Sequence, residues 1–113
     1  MKIATREVNG VVILDLDGKL TIGEGDVRLR EALVAALDGG KSRILINLDR
    51  ASTIDSSGLG ELIRSKVTAT KRGAEVKLLH VNIKARKLLT MAMLVGVFEM
   101  FDDESLAVRS FTE

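Results

Sequence analysis

The sequence predicts an α/β domain: a mixed, mostly parallel sheet of about five strands with four helices, in the order ββαβαβαβα. Three observations predict it. Short apolar runs flank Asn9-Gly10, the dipeptide that a two-residue hairpin turn favours because both positions take positive φ. Beyond that hairpin the spacing of apolar residues alternates between strand-length runs and four-residue helical repeats. Finally, the 113 residues hold no Pro, no Ser/Gly-rich tract and no internal repeat, so a single domain over residues 1–113 is expected.

Each element follows in order. Ile3, Thr5 and Val8 form a first strand, and Val11-Val12-Ile13-Leu14 a second that ends near Gly18. Residues 19–25, with two Gly, are expected as a loop. Leu29, Leu33 and Leu37 repeat every four residues with Ala32 and Ala36 beside them, which predicts a helix. Asp26 serves it as N-cap or first-turn acid, and Gly39-Gly40 closes it. Ile44-Leu45-Ile46 is a strand covered on both faces, followed by a loop to Asp55. The second helix is expected to bury Leu59, Leu62, Ile63, Val67 and Thr70, and to expose Glu61, Arg64, Ser65, Thr68 and Lys71. Gly73 ends it, and Val76, Leu78 and Leu79 make a fourth strand. Asn82 caps a third helix with a stripe of Ala85, Leu88, Leu89 and Ala92. Val97 to Phe101 is the last strand, and Asp102-Asp103-Glu104 opens a helix through Leu106 and Phe111.

Composition narrows the function. Lys and Arg number 17 against 16 acids, a net charge of +1, which supplies no field for nucleic acid or an anionic membrane. With no Cys there is no disulfide, thiolate metal site or thiol catalysis, and with His80 the sole His no multi-histidine metal site is expected. The three Phe all lie beyond residue 97, away from any base-stacking platform. The apolar run from Met91 to Phe98 is far short of the roughly 20 residues of a membrane span, and MKIATREV lacks a signal core. A soluble cytoplasmic domain that does not insert in a membrane is expected, with no cofactor and no metal.

The informative segment is Thr53-Ile54-Asp55-Ser56-Ser57-Gly58-Leu59-Gly60, between the third strand and the second helix. Asp and Ser cap helix N-termini by accepting from unpaired amides, so on local chemistry this is a capping sequence. The Gly pair is more than a cap needs, since Gly costs an interior helix position up to about 1 kcal/mol. It removes Cβ where a partner backbone or a phosphate could come close. First-turn amides and the helix dipole favour added negative charge there. A hydroxyl so placed is suited to receive a phosphoryl group from another protein, while the chain shows no machinery to transfer one.

IDSSGLGEL, preceded by the strand RILINL and followed by a helix, resembles the signature of bacterial anti-sigma factor antagonists, the stand-alone STAS domains. Gly18-Lys19-Leu20, the run from Leu48 to Thr53, VKLLHV and KLLTMAMLVGVFEMFDDESLAV are similar to that family as well, so the resemblance covers essentially the whole chain. It implies a STAS-like fold and a non-enzymatic partner switch. In the family an anti-sigma factor that is itself a serine kinase phosphorylates the first hydroxyl after the Asp, here Ser56, with Ser57 the second choice. The unphosphorylated antagonist binds the anti-sigma factor and frees the sigma factor for transcription, and a PP2C-like phosphatase restores the active form. The docking residues implied are Asp55, Ser56, Ser57, Gly58, Leu59 and Gly60, with Asp55 orienting Ser56 and Leu59 anchoring the loop. Thr21, Glu24, Glu61 and Arg64 border them. Thr21 stands where many relatives carry an acid, with Glu24 or Asp26 as the expected substitutes for it. A monomer or weak dimer is expected. Stand-alone STAS domains also occur as adaptor subunits of transport ATPases and in stress-signalling assemblies, where the Ser loop docks unmodified.

Other signals carry less. Gly39-Gly40-Lys41-Ser42 imitates the end of a P-loop but has Ala35 where that motif needs Gly, and it closes a helix instead of opening one. Ser56 and Ser57 lack the glycines of a nucleophile elbow, so His80 is read as a strand-end residue. Lys84, Arg86 and Lys87 read as a solvated face. Met91, Met93 and Met100 read as core and turn packing, an exposed Met patch being the alternative.

Overall fold

The computed structural model describes residues 1–112, with Val95 described by its backbone alone. The elements are β1 (Lys2–Val8), β2 (Val11–Leu20), α1 (Gly25–Asp38), β3 (Arg43–Ile54), α2 (Ser56–Lys71), β4 (Glu75–Leu79), α3 (Ile83–Met91), β5 (Met100–Phe101) and α4 (Glu104–Ser110), with a 3-10 turn at Val95–Val97. The order and the count of strands and α-helices are those the sequence predicts. The sheet runs β1-β2-β3-β4-β5; the β1/β2 pair is antiparallel and the rest are parallel. Asn9 and Gly10 both take positive φ, +49° and +82°, as the hairpin turn requires.

Alternation along the central strands sends side chains to two cores. Val12, Leu14, Leu16, Ile44, Ile46, Leu48, Val76 and Leu78 pack with Leu29, Leu33, Leu62, Ala69, Ala85 and Leu89 of α1, α2 and α3. Val11, Ile13, Leu45 and Leu79 pack on the other face with Ala107, Val108 and Phe111 of α4. Each fully buried Leu or Ile contributes about 1.5–3 kcal/mol. Lys77 reaches into the second core, where its ammonium donates to Ser110 Oγ at 3.0 Å, pairs with Glu99 at 2.8 Å and lies 4.5 Å from the Phe111 ring centroid. It ties α4 to the sheet.

Several boundaries differ from expectation. β2 continues to Leu20, and β3 runs on to Ile54 where a loop was expected, because the two strands stay paired through Gly18↔Ala51 and Leu20↔Ile54. α1 starts at Gly25 with no side-chain cap; Asp26 is a first-turn acid that accepts from the Gly23 and Val27 amides. α2 is rotated from its expected face, so that Glu61 and Ser65 are buried and Val67 is 47% exposed. Ala92 lies exposed beyond the end of α3, and Leu106 is exposed while Ala107, Val108 and Phe111 carry the packing of α4. The last strand is only Met100–Phe101, since Val97 belongs to the 3-10 turn. Met91 and Met93 are not packed but are 81% and 92% exposed.

Candidate functional site

β2, β3 and β4 are adjacent and parallel, so the connections that follow them emerge at one end of the sheet, side by side. The Thr21–Glu24 turn follows β2, Asp55 and Ser56 follow β3, and His80–Asn82 follows β4. Ser56 is therefore flanked on one side by the turn entering α1 and on the other by the start of α3.

Asp55 is the N-cap of α2. Its Oδ1 accepts from the Gly58 amide at 2.8 Å and its Oδ2 from the Ile22 amide at 3.1 Å, while its own amide donates to the Leu20 carbonyl at 3.4 Å. The amides of Gly58 and then Ile22 hold its carboxyl below the usual carboxylate range. The carboxylate thus caps α2 and ties two turns together. Ser56, the first helical residue, is exposed; Ser57 is half-buried.

Gly58 serves the interior of the protein. A Cβ there would lie 2.0 Å from the Leu20 carbonyl oxygen, and one on Gly25 would lie 2.2 Å from the Lys19 carbonyl oxygen. Both helix starts press on the end of β2, so the close approach expected of a partner at Gly58 is taken up within the chain. At Gly60 a Cβ would meet nothing within 4 Å, which leaves that position open to solvent. Leu59 packs against the core, as an anchor of the loop would.

Glu61 is buried, with its side chain 1% exposed, which corrects its expected place on the surface. Its Oε1 accepts from Arg30 Nε at 3.1 Å, Arg30 Nη2 at 2.7 Å and Arg64 Nη1 at 2.8 Å. Arg30 thereby clamps α1 to α2, while Arg64 pairs with Glu61 from within α2 itself, and the outer sides of both guanidinium groups reach solvent. Arg64 itself is exposed. Thr21 is half-buried and its carbonyl accepts from the Asp26 amide; Glu24 is exposed and pairs with the Met1 amino group at 3.0 Å, which lowers its pKa.

Sequence reasoning missed a second polar cluster on the sheet face that α4 leaves open. Arg6 donates to Asp15 through Nε at 2.6 Å and to Glu104 through Nη1 at 3.0 Å, and Asn47 donates to Asp15 at 2.8 Å. It joins β1, β2, β3 and α4. Only the register of β1 on β2, Arg6 opposite Ile13 and Ala4 opposite Asp15, could have indicated it. Among the described residues no group of three or more His, Cys, Asp or Glu could hold a metal ion, and no helix is long and apolar enough to cross a membrane.

The chain matches the family described as STAS domain over residues 2–107. It belongs to the STAS family. It is 26% identical to an anti-sigma F factor antagonist of Paenibacillus polymyxa, over all of this chain and 94% of that one. Among solved structures, a putative anti-sigma factor antagonist from Thermotoga maritima superposes with a TM-score of 0.89 at 22% identity, covering 98% of this chain and 95% of that one. The Bacillus cell fate determinant SpoIIAA in its phosphorylated form gives 0.76 at 23%, covering 97% of this STAS domain and 99% of that chain. A sulfate transporter family protein from Wolinella succinogenes gives 0.77 at 21%, covering 91% and 85%, so the same fold serves proteins of more than one description.

Proposed function

We propose that this STAS domain is an anti-sigma factor antagonist, a binding protein and not an enzyme, whose grip on a serine-kinase anti-sigma factor is released by phosphorylation of Ser56. The observation that carries the reading is the placement of that hydroxyl: exposed, first in α2, between two turns that share its end of the sheet. The kinase transfers the γ-phosphoryl of ATP to Ser56 Oγ, and a PP2C-like phosphatase removes it by hydrolysis. The relatedness to an anti-sigma F factor antagonist and the fold shared with phosphorylated SpoIIAA support the reading.

Phosphorylation need not unfold anything to act. It adds about 1.5–2 negative charges at pH 7. The neighbouring Asp55 is already ionised, and its two bonded amides are no longer free to receive the phosphate. The new charge stands in a surface a partner must desolvate, and like-charge contact across an interface costs several kcal/mol, or about a hundredfold or more in Kd. Ser57 is half-buried and is the second candidate acceptor; Gly60 and Arg64 border the same surface.

The test is incubation with ATP and the cognate anti-sigma factor, followed by mass spectrometry. Phosphate at Ser56, abolished in Ser56→Ala and retained in Ser57→Ala, is expected. Binding by Ser56→Glu as tight as wild type would overturn the switch. Co-purification with transporter subunits and no phosphate on Ser56 would support an unmodified adaptor instead.

A further inference from the structure

We propose that the exposed face of α3, from Ile83 to Met91, is a second contact area for the partner protein that covers Ser56, and that the partner meets it with an acidic surface edged by apolar pockets. This rests on the reading of Ser56 as the centre of a docking surface. Ile83, Arg86, Lys87, Thr90 and Met91 recur at helical spacing and line one shallow groove. The stripe is about 12 Å long at 1.5 Å per residue. It begins on the turn next to Ser56, since β3 and β4 are neighbours and Asn82 donates from α3's cap to the Ala51 carbonyl of β3 at 3.1 Å.

Charge and exposure define the occupant. From Val76 to Phe98 the sequence has no Asp or Glu, although the whole chain is nearly neutral. Lys84, Arg86 and Lys87 are exposed, and among the described residues none of them has an ion-pair partner. Ile83 is 76% exposed and Met91 81%. Large exposed side chains at both ends of a cationic centre fit carboxylates in the middle of a partner surface and apolar contacts at its edges. A lipid surface fits less well. The apolar residues Ala85 and Leu89 already face the core, so pushing Ile83 and Met91 among acyl chains would carry Arg86 and Lys87 in with them.

A photo-crosslinking amino acid at position 87, at 57, or at 71 (the far end of α2) in the full chain, in the cells that make it, tests the contact. Positions 87 and 57 are expected to capture the same protein and position 71 to capture none. With that protein purified, Lys87→Glu should weaken binding about tenfold at roughly 50 mM salt, with the gap closing to about twofold near 500 mM. Lys71→Glu, which changes net charge equally, should stay within about twofold of wild type at both salts. No capture from position 87, capture of a different protein from the one at 57, or equal affinities for the two Glu variants would each overturn the proposal. So would the absence of a captured protein together with Lys87-dependent binding to phosphatidylserine vesicles. If Ser56→Glu binds like wild type while Lys87→Glu does not, the phosphorylation switch fails and the α3 contact stands.

Discussion

A Cβ on Gly58 would come within 2.0 Å of the carbonyl oxygen of Leu20, a residue that is itself fully buried at the end of β2. The start of α2 and the tip of β2 are therefore in backbone contact, and neither can retreat without moving the core.

Gly58→Ala should cost about 3 kcal/mol or more, because the obstacle is backbone and not a flexible side chain. Gly60→Ala, with open space around its Cβ, should instead leave stability unchanged or raise it by up to about 1 kcal/mol through helix propensity. Urea denaturation compares the two. Equal midpoints would mean that the contact at Gly58 relaxes freely. If Gly60→Ala keeps its stability but loses partner affinity, the second glycine is there for the partner.

Acid should weaken the fold through the cluster on the open sheet face. Burial raises the Asp15 pKa, but its hydrogen bonds from Arg6 and Asn47 outweigh that and hold it below the usual range; Arg6 likewise lowers Glu104. A depressed folded-state pKa gives stability that is fully present above the unfolded value, near 4, and is lost as pH falls through the folded value. Stability should therefore be flat from about pH 7 to 5 and fall below about 4. Asp15→Asn with Glu104→Gln should lower the plateau and flatten that acid limb, measured as unfolding free energy against pH. An unchanged slope would show that other carboxylates carry it.

The hairpin and the order of elements were legible because they rest on local signals: Asn9-Gly10 for the turn, Leu29, Leu33 and Leu37 for α1, Asn82 for the cap of α3. The second half of β3 was not. Its more buried residues, Leu48, Ala51 and Ile54, recur every three, which fits neither a strand nor a helix. The register shifts against β2 between Asp15 and Asp17 and again between Gly18 and Lys19 insert extra residues and break the alternation. The α2 face was missed for another reason. Its burial is set by the small residues Gly58, Ser65 and Ala69, and Glu61 is tolerated inside because Arg64, one turn on, and Arg30, distant in sequence, both reach it. Asp55 and Ser56 were legible as a cap and an exposed hydroxyl, while the bond from Ile22 to Asp55 depends on tertiary placement.

Glu61→Ala should destabilise the domain by about 2 kcal/mol, in the range for hydrogen bonds to a charged group. It removes the acceptor shared by Arg30 and Arg64 and leaves a space between α1 and α2. Ser65→Ala, one turn further along, should be neutral or stabilising, because Ser65 Oγ is buried without a hydrogen-bond partner. Thermal denaturation of both variants checks the contrast. A loss at Ser65 as large as that at Glu61 would mean the hydroxyl is bonded in solution.

Asp55→Ala should release two turns at once. The carboxylate is the acceptor for both the Gly58 amide, inside α2, and the Ile22 amide, in the turn before α1. Without it, both amides should exchange with solvent faster in native-state hydrogen exchange, while amides in the middle of β3 keep their protection. Asp55→Asn should restore more of the protection at Gly58 than at Ile22, because a carboxamide has one acceptor oxygen and can keep the capping bond. Lowering the pH should reproduce the alanine effect, since the carboxyl is held ionised by these amides and gives up its stabilisation only as pH falls through its depressed value. If Ile22 exchanges no faster in Asp55→Ala, the two turns are not coupled through this side chain. A partner resting on both of them would then have to hold them together itself.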